Sequence, residues 1–142
     1  MSQKGQSLTE FAMSLPLLLL LFLASSDIAN IIHIYNRMVD CTWEGARLAS
    51  EVSQSYGSNN LKKVAVARTQ SALTNSGIPW WEIKTTAEVK KVQDGDKSYD
   101  LLELASSYQP SGFLSNILNK IGFNFSFPLT LNAKAVGYVN YQ

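Results

Sequence analysis

The chain has 142 residues, one cysteine, one histidine and a formal net charge of +1. One cysteine excludes an internal disulfide. Balanced charge, with lysine pairs at 62–63 and 90–91 scattered among acids, excludes an Arg-rich nucleic-acid stripe, and the length holds one small domain beside any anchor. No Gly-rich phosphate loop, metal-ligand spacing or Ser-His-Asp arrangement stands out, so no catalytic residue, cofactor or metal site is expected and the chain reads as non-enzymatic.

In chain order, a polar opening containing Lys4 leads to Glu10 and then to Phe11–Ser26, which carries no charge. Asp27 interrupts the apolar run, and Ile28, Ile31, Ile32, Ile34 and Tyr35 continue it. About 20 residues at helical rise cross the roughly 30 Å hydrocarbon core of a bilayer, so Phe11 to about Ile31 is long enough to span one. Pro16 is tolerable there because a membrane helix recovers the freed carbonyl locally. Lys4 and Arg37 nearly cancel across the span, so the positive-inside rule does not set its orientation. Asp27 falls near the far headgroup level and His33 beyond it; interfacial solvation or a helix–helix hydrogen bond is expected for both, since no chain of ionisable partners lines the span for a proton relay.

Two readings of Glu10 stand side by side. Ser7-Leu8-Thr9-Glu10 has the S-x-x-E form of a capping box, with Ser7 as cap and Glu10 reaching back. A carboxylate near bilayer depth also points to function by default. Lys4, the Leu run and Ala24-Ser25-Ser26 fit an ordinary signal peptide cut at Ser26, but Glu10 sits where that pattern prefers basic residues and the periodicity runs on past Asp27.

Beyond the span, Met38, Cys41, Gly45, Leu48 and Val52 recur at spacings of three and four, and Gly45 with Ala49 forms a small-xxx-small pair that admits a close backbone. A helix from Gln6 to about Ser53 is roughly 70 Å long, so its outer half is expected to pack on the chain's own domain. Asp40 and Glu44 repel at i,i+4 while Arg47 and Glu51 attract. Arg47 is expected to anchor the domain or a neighbour, and Cys41 to be a small buried packing residue.

Counted from the residue after Gly5, Glu10 is the fifth position and Phe11 the sixth, as in type IV prepilins. With Leu15-Pro16 before a Leu run, Asp27 after it, and Glu44-Gly45-Ala46-Arg47-Leu48-Ala49-Ser50 beyond, the first 50 or so residues resemble the TadE-like family, minor pseudopilins of the tight-adherence (Flp pilus) machinery. Cys41, Thr42 and Trp43 depart from its usual pattern. The resemblance implies a pilin-like fold and cleavage by a prepilin peptidase between Gly5 and Gln6. It implies an assembly and recognition role for Glu10 and Phe11, and helix packing through Gly45, Ala46, Arg47 and Ala49. Gln6 can cyclise to pyroglutamate, which removes the amine thought to pair with the plus-five Glu of a neighbour in type IV pilins.

Gln54–Asn60 is a polar break, followed by a helix from about Asn60 to Asn75 with Leu61, Val64, Ala65 and Ala72 on its apolar face and Arg68 in the stripe, ended by Gly77 and Pro79. Trp81, Ile83, Thr85, Ala87 and Val89 then alternate with polar residues as a half-buried antiparallel strand does. Of Trp80 and Trp81, one is expected to fill the core and one to rim it. Asp94-Gly95 signals a hairpin, and a second strand is expected from about Lys97 to Tyr108. After Pro110-Ser111-Gly112, residues Phe113, Leu114, Ile117, Leu118 and Ile121 make a narrow stripe on a short helix, and Phe123, Phe125 and Phe127 alternate after it. This stretch is expected to be core; a surface touching membrane or partner is the alternative. Leu129–Asn140 alternates most cleanly, and Ala133, Ala135 and Gly137 suit packing against a helix.

The expected fold class is therefore α+β: a long N-terminal transmembrane α-helix, then a small helix and a three- to four-stranded antiparallel sheet, pilin-like. The expected divisions are a leader at 1–5, a membrane helix and its extension at 6–53, and a periplasmic or extracellular domain at 54–142. The expected function is that of a minor pilin or pseudopilin of a Flp-type pilus or secretion apparatus, acting in pilus assembly and adhesion. It would be held as a single pass in the bacterial inner membrane with its C-terminal domain outward. Its partners would be the membrane, other pilin subunits, assembly-platform proteins and the prepilin peptidase, with no nucleic acid and no small-molecule substrate. The alternatives are a membrane-anchored binding or scaffold domain that never polymerises, and a secreted domain with an ordinary signal peptide.

Overall fold

Residues 3–52, 58–78, 80–94, 97–124 and 129–139 are described by a computed structural model of the chain. Helix α1 (Gln3–Val52) is unbroken across Pro16, and is followed by α2 (Ser58–Asn75), β1 (Lys84–Asp94), β2 (Lys97–Tyr108), α3 (Phe113–Lys120) and β3 (Leu131–Val139). The class is α+β, with a long apolar N-terminal helix, a small helix and a three-stranded antiparallel sheet in the order β1-β2-β3. The residues fall into two compact units: α1 up to Ile32 with the α3 segment, and the rest of α1 with α2 and the sheet.

In the second unit, period-two patterning does what the sheet requires. β1 pairs with β2 from Lys84↔Ser107 to Asp94↔Lys97, and β2 pairs with β3 from Asp100↔Val139 to Tyr108↔Leu131. Leu102, Leu104, Ser106 and Tyr108 of β2 and Leu131, Ala133, Ala135, Gly137 and Val139 of β3 are buried on one face, as alternation along a pleated strand dictates. That face forms a core with Ala46, Ala49, Leu61 and Ala65 from the helices. On the opposite face Glu103 pairs with Lys90 on one neighbouring strand and, at 3.4 Å, with Lys134 on the other. It thereby ties three strands together across a surface where Glu88 stands directly opposite it.

Three expectations change in detail. Trp80–Glu82 is a single 3₁₀ turn, so the first strand starts at Lys84 and the exposed Trp81 lies outside it. On α2 the buried line is Leu61, Ala65, Thr69 and Leu73, a strict i+4 row, with Val64 and Ala72 half-buried beside it and Arg68 exposed. Thr69 takes the place an apolar residue would hold, because its hydroxyl donates to the Ala65 carbonyl at 3.0 Å and leaves no polar group unmet. Finally, Phe113, Ile121 and Phe123 are exposed, not core. Phe125 and Phe127, like the break at 53–57, Pro79 and the Gly95 turn position, lie outside the described residues.

Both short helices end in the same device. Gly77 (φ +75°) follows α2, with Ile78 N–H donating to Leu73 O and Gly77 N–H to Thr74 O. Gly122 (φ +94°) follows α3, with Phe123 N–H donating to Leu118 O and Gly122 N–H to Asn119 O. These are Schellman closures, and the left-handed residue is glycine because a Cβ is disfavoured there.

Candidate functional site

The N-terminal stretch of α1 is a helix with almost nothing packed on it. Between Ser7 and Ile32 the only buried residue is Asp27, and Leu17, Leu18, Leu19, Leu20, Leu21 and Phe22 all stand exposed. A helix that is apolar all round and unburied by its own chain belongs in lipid or among other apolar helices. Local bonds keep two of its hydroxyls within the helix: Ser14 Oγ donates to Phe11 O at 2.9 Å and Ser25 Oγ to Leu21 O at 2.8 Å.

Glu10 and Phe11 lie on this helix and are exposed, and Gly5 and Gln6 are in its first turns. Since α1 runs from Gln3, Ser7 is inside the helix and not at its N-cap. Glu10 therefore stands inside the helix, immediately before the apolar stretch.

The distal part of α1 carries the small residues, and there the second unit closes on its backbone. A Cβ at Gly45 would sit 1.9 Å from Thr69 Oγ1 and 3.0 Å from Thr69 Cβ, so α2 crosses α1 at that glycine. A Cβ at Gly137 would come 3.0 Å from the Ala46 carbonyl and 3.4 Å from Ser50 Cβ, so β3 lies directly on the same turn of α1. Ala46 and Ala49 are fully buried in this contact zone. Close approach of this kind needs small residues on both partners. Thr42 Oγ1 adds a polar tie, donating to Met38 O at 2.6 Å and lying 3.0 Å from Ser106 Oγ of β2.

Arg47 points away from that zone: its Nε is 3.6 Å from Glu51, and both side chains are exposed. With Trp43, Glu44, Ser50, Val136, Gly137 and Tyr138 it lines an open groove of about 670 Å³ between α1 and β3. Cys41 is buried with Sγ 3.7 Å from Ser76 Oγ. Burial pushes its thiol up from the ordinary value against the opposing hydrogen bond from Ser76, and Glu44 and Asp40 nearby add to the rise. Among the described residues no group of His, Cys, Asp and Glu comes together to hold a metal ion.

Asp27 makes a helix–helix hydrogen bond, one of the two roles expected for it, but sequence reasoning missed its partner, the start of α3. Phe113 N–H donates to its Oδ1 at 2.9 Å and Leu114 N–H to its Oδ2 at 2.7 Å. The carboxylate thus satisfies the first two amides of α3, whose own N-cap, Gly112, has no side chain to do so. The available signals were a lone acid in an apolar helix and a glycine where a capping side chain belongs.

Residues 5–47 match the family model of the TadE-like proteins. No curated protein and no solved structure gives a match. The TadE-like segment holds Gly5, Glu10, Phe11, Asp27, Gly45, Ala46 and Arg47, and it ends before Leu48. It covers most of α1, while α2, α3 and the sheet fall outside it. The match points to Tad/Flp pilus systems, a structural and non-enzymatic setting, and the exposed apolar helix points to a membrane anchor.

Proposed function

We propose that the chain is a minor pilin or pseudopilin of a Tad/Flp-type pilus or secretion apparatus, anchored by α1 in the inner membrane with its C-terminal domain outward. One observation carries the reading: an unburied apolar helix, Phe11 to Ile32, within the segment that matches the TadE-like family. Such a helix is at home in lipid before assembly and among the same helices of other subunits afterwards, since lipid tails and helix faces are alike apolar.

In this reading a prepilin peptidase cuts between Gly5 and Gln6. The cut removes Lys4 and the first turn of the helix, and leaves Ser7 next to the new end. Ser7 then becomes available as N-cap with Glu10 at N3. In a subunit bundle Glu10 instead meets the end of a neighbouring helix and sets the register, because a carboxylate in a low-dielectric bundle strongly favours a charged or donor partner. Phe11 is the recognition residue beside it, and Gly45, Ala46 and Ala49 hold the domain on its shaft.

The test is Glu10→Ala in cells: membrane insertion stays intact and incorporation into the pilus is lost. Normal piliation of that mutant would overturn the assembly role. Mass spectrometry of the mature protein should find an N-terminus at Gln6; Met1 would favour a scaffold that is never processed, and Asp27 a secreted domain.

A further inference from the structure

The segment 111–124 raises a question that the family match leaves aside. Helix α3 is eight residues long, yet both of its ends are closed. Asp27 takes the amides of Phe113 and Leu114, and the Gly122 closure takes the carbonyls of Leu118 and Asn119. Its side chains divide: Ser115 is buried and Leu114, Ile117 and Leu118 are half-buried. Phe113 is 60% exposed, and Ile121 and Phe123, just past its end, are each 66% exposed. Residues 111–124 contain no Asp or Glu, and their one charge is Lys120 in the last turn.

We propose that α3 is an interfacial foot. It lies in the headgroup–acyl boundary of the bilayer that α1 crosses, on the C-terminal side of the span, with Phe113, Ile121 and Phe123 in lipid and Asp27 as its tether. This rests on the membrane-anchor reading of α1 and adds to it a second lipid contact, outside the span.

Depth supports lipid as the occupant. The helix from Phe11 to Asp27 rises about 24 Å against a hydrocarbon core of about 30 Å. With Phe11 at the near edge, Asp27 and the start of α3 hydrogen-bonded to it come within about 6 Å of the far edge. An interfacial amphipathic helix buries its apolar face about 5–10 Å into that boundary.

Polar satisfaction agrees. A carboxylate at this depth is costly in lipid, and two charge-assisted N–H bonds at a helix N-terminus offset that cost. The same bonds serve α3, whose first amides would find no acceptor among acyl chains. Charge agrees as well: an acid-free segment bearing one lysine is attracted to anionic headgroups, and Lys120 is long enough to reach them from below.

The experiment places single spin labels in the full-length chain, in a Cys41→Ser background, reconstituted in vesicles of phosphatidylcholine and phosphatidylglycerol. Labels at Ile121→Cys, Phe123→Cys and, within the span, Leu19→Cys are compared by collision with oxygen and with a water-soluble nickel chelate. All three should favour oxygen, with 121 and 123 shallower than 19. Asp27→Asn, which keeps the size but not the charge, should move the label at 123 toward the aqueous value. If 19 is in lipid while 121 and 123 match label free in water, the foot is refuted and the anchor stands. Should 19 be aqueous too, the anchor fails and the foot with it. Labels at 121 and 123 shielded from both reagents would mean that protein covers the face, which also overturns the proposal. An unchanged depth at 123 in Asp27→Asn would overturn the tether.

Discussion

Helix α1 has two stretches that obey opposite rules. From Leu17 to Phe22 its large apolar side chains stand exposed, whereas from Met38 to Ala49 the buried residues are mostly small: Cys41, Thr42, Gly45, Ala46 and Ala49. Hydrophobicity alone would rank these the other way. The difference lies in what surrounds each stretch. The distal stretch is closed upon by α2 and β3 at backbone distance, where side-chain volume is the limit. The proximal stretch is left exposed by the described residues, and volume is then useful, because each large side chain adds apolar surface for lipid or for another helix.

The contrast breaks most severely if charge enters the proximal stretch. Leu18→Arg should cost about 3 kcal/mol of insertion free energy, read as a shift of the chain from the alkali-resistant to the extractable membrane fraction, with the second unit still folded. Gly45→Val makes the reciprocal break. It places carbon on Thr69 and should destabilise the second unit by about 2 kcal/mol, seen as a lower urea midpoint in detergent, while membrane insertion is untouched. Thr69→Ala in the same chain should recover part of that loss. Thr69 Cβ, 3.0 Å from the new Cβ, would keep the recovery incomplete.

Smaller effects sharpen the contrast. Asp27→Ala should loosen α3 by about 1–2 kcal/mol, the scale of a lost helix cap or charged hydrogen bond, measured as faster hydrogen exchange at the amides of 113 and 114. Ionisation of Cys41 should lower stability only at alkaline pH. Its folded pKa is raised above 9.0 by burial, so the unfolded thiol ionises first. Its contribution is therefore complete below that pH and declines as pH rises through the window above it. Comparing the wild type with Cys41→Ala at neutral and alkaline pH should show the difference narrowing. Smallest of all is Glu103→Gln. The lysine on each neighbouring strand holds its carboxylate below the ordinary value, Lys90 most strongly, but the group is open to water and salt screens such pairs. The urea midpoint should not move measurably.

Much of the architecture could be read from periodicity. The run from Phe11 to Ile31, the alternation along β1 and β3, and the β2 limits at Lys97 and Tyr108 all follow from local pattern. What local pattern missed was decided across the chain. Apolar spacing puts the α2 face too near Arg68 because it passes over Thr69, a polar residue whose place opposite Gly45 makes it part of the packing. Trp81 continued the strand rhythm by spacing alone, and the 3₁₀ turn cut it off. Asp27 finds its partners 86 and 87 residues away, a distance over which no window of sequence carries information. The stripe at Phe113–Ile121 reads as core because burial and lipid exposure select the same side chains.

Gly45 and Gly137 have a mechanical corollary. Where two elements touch α1 through its backbone, there are few side chains at the contact to rotate aside under load. Screwing the helix by one residue, about 1.5 Å along its axis with a rotation of about 100°, would carry a Cβ into the space that Gly45 leaves for Thr69. Tension drawn along the distal part of α1 is therefore handed to α2 through the Thr69 side chain seated on Gly45 and to β3 through its main chain at Gly137, as a toothed rack engages a pinion.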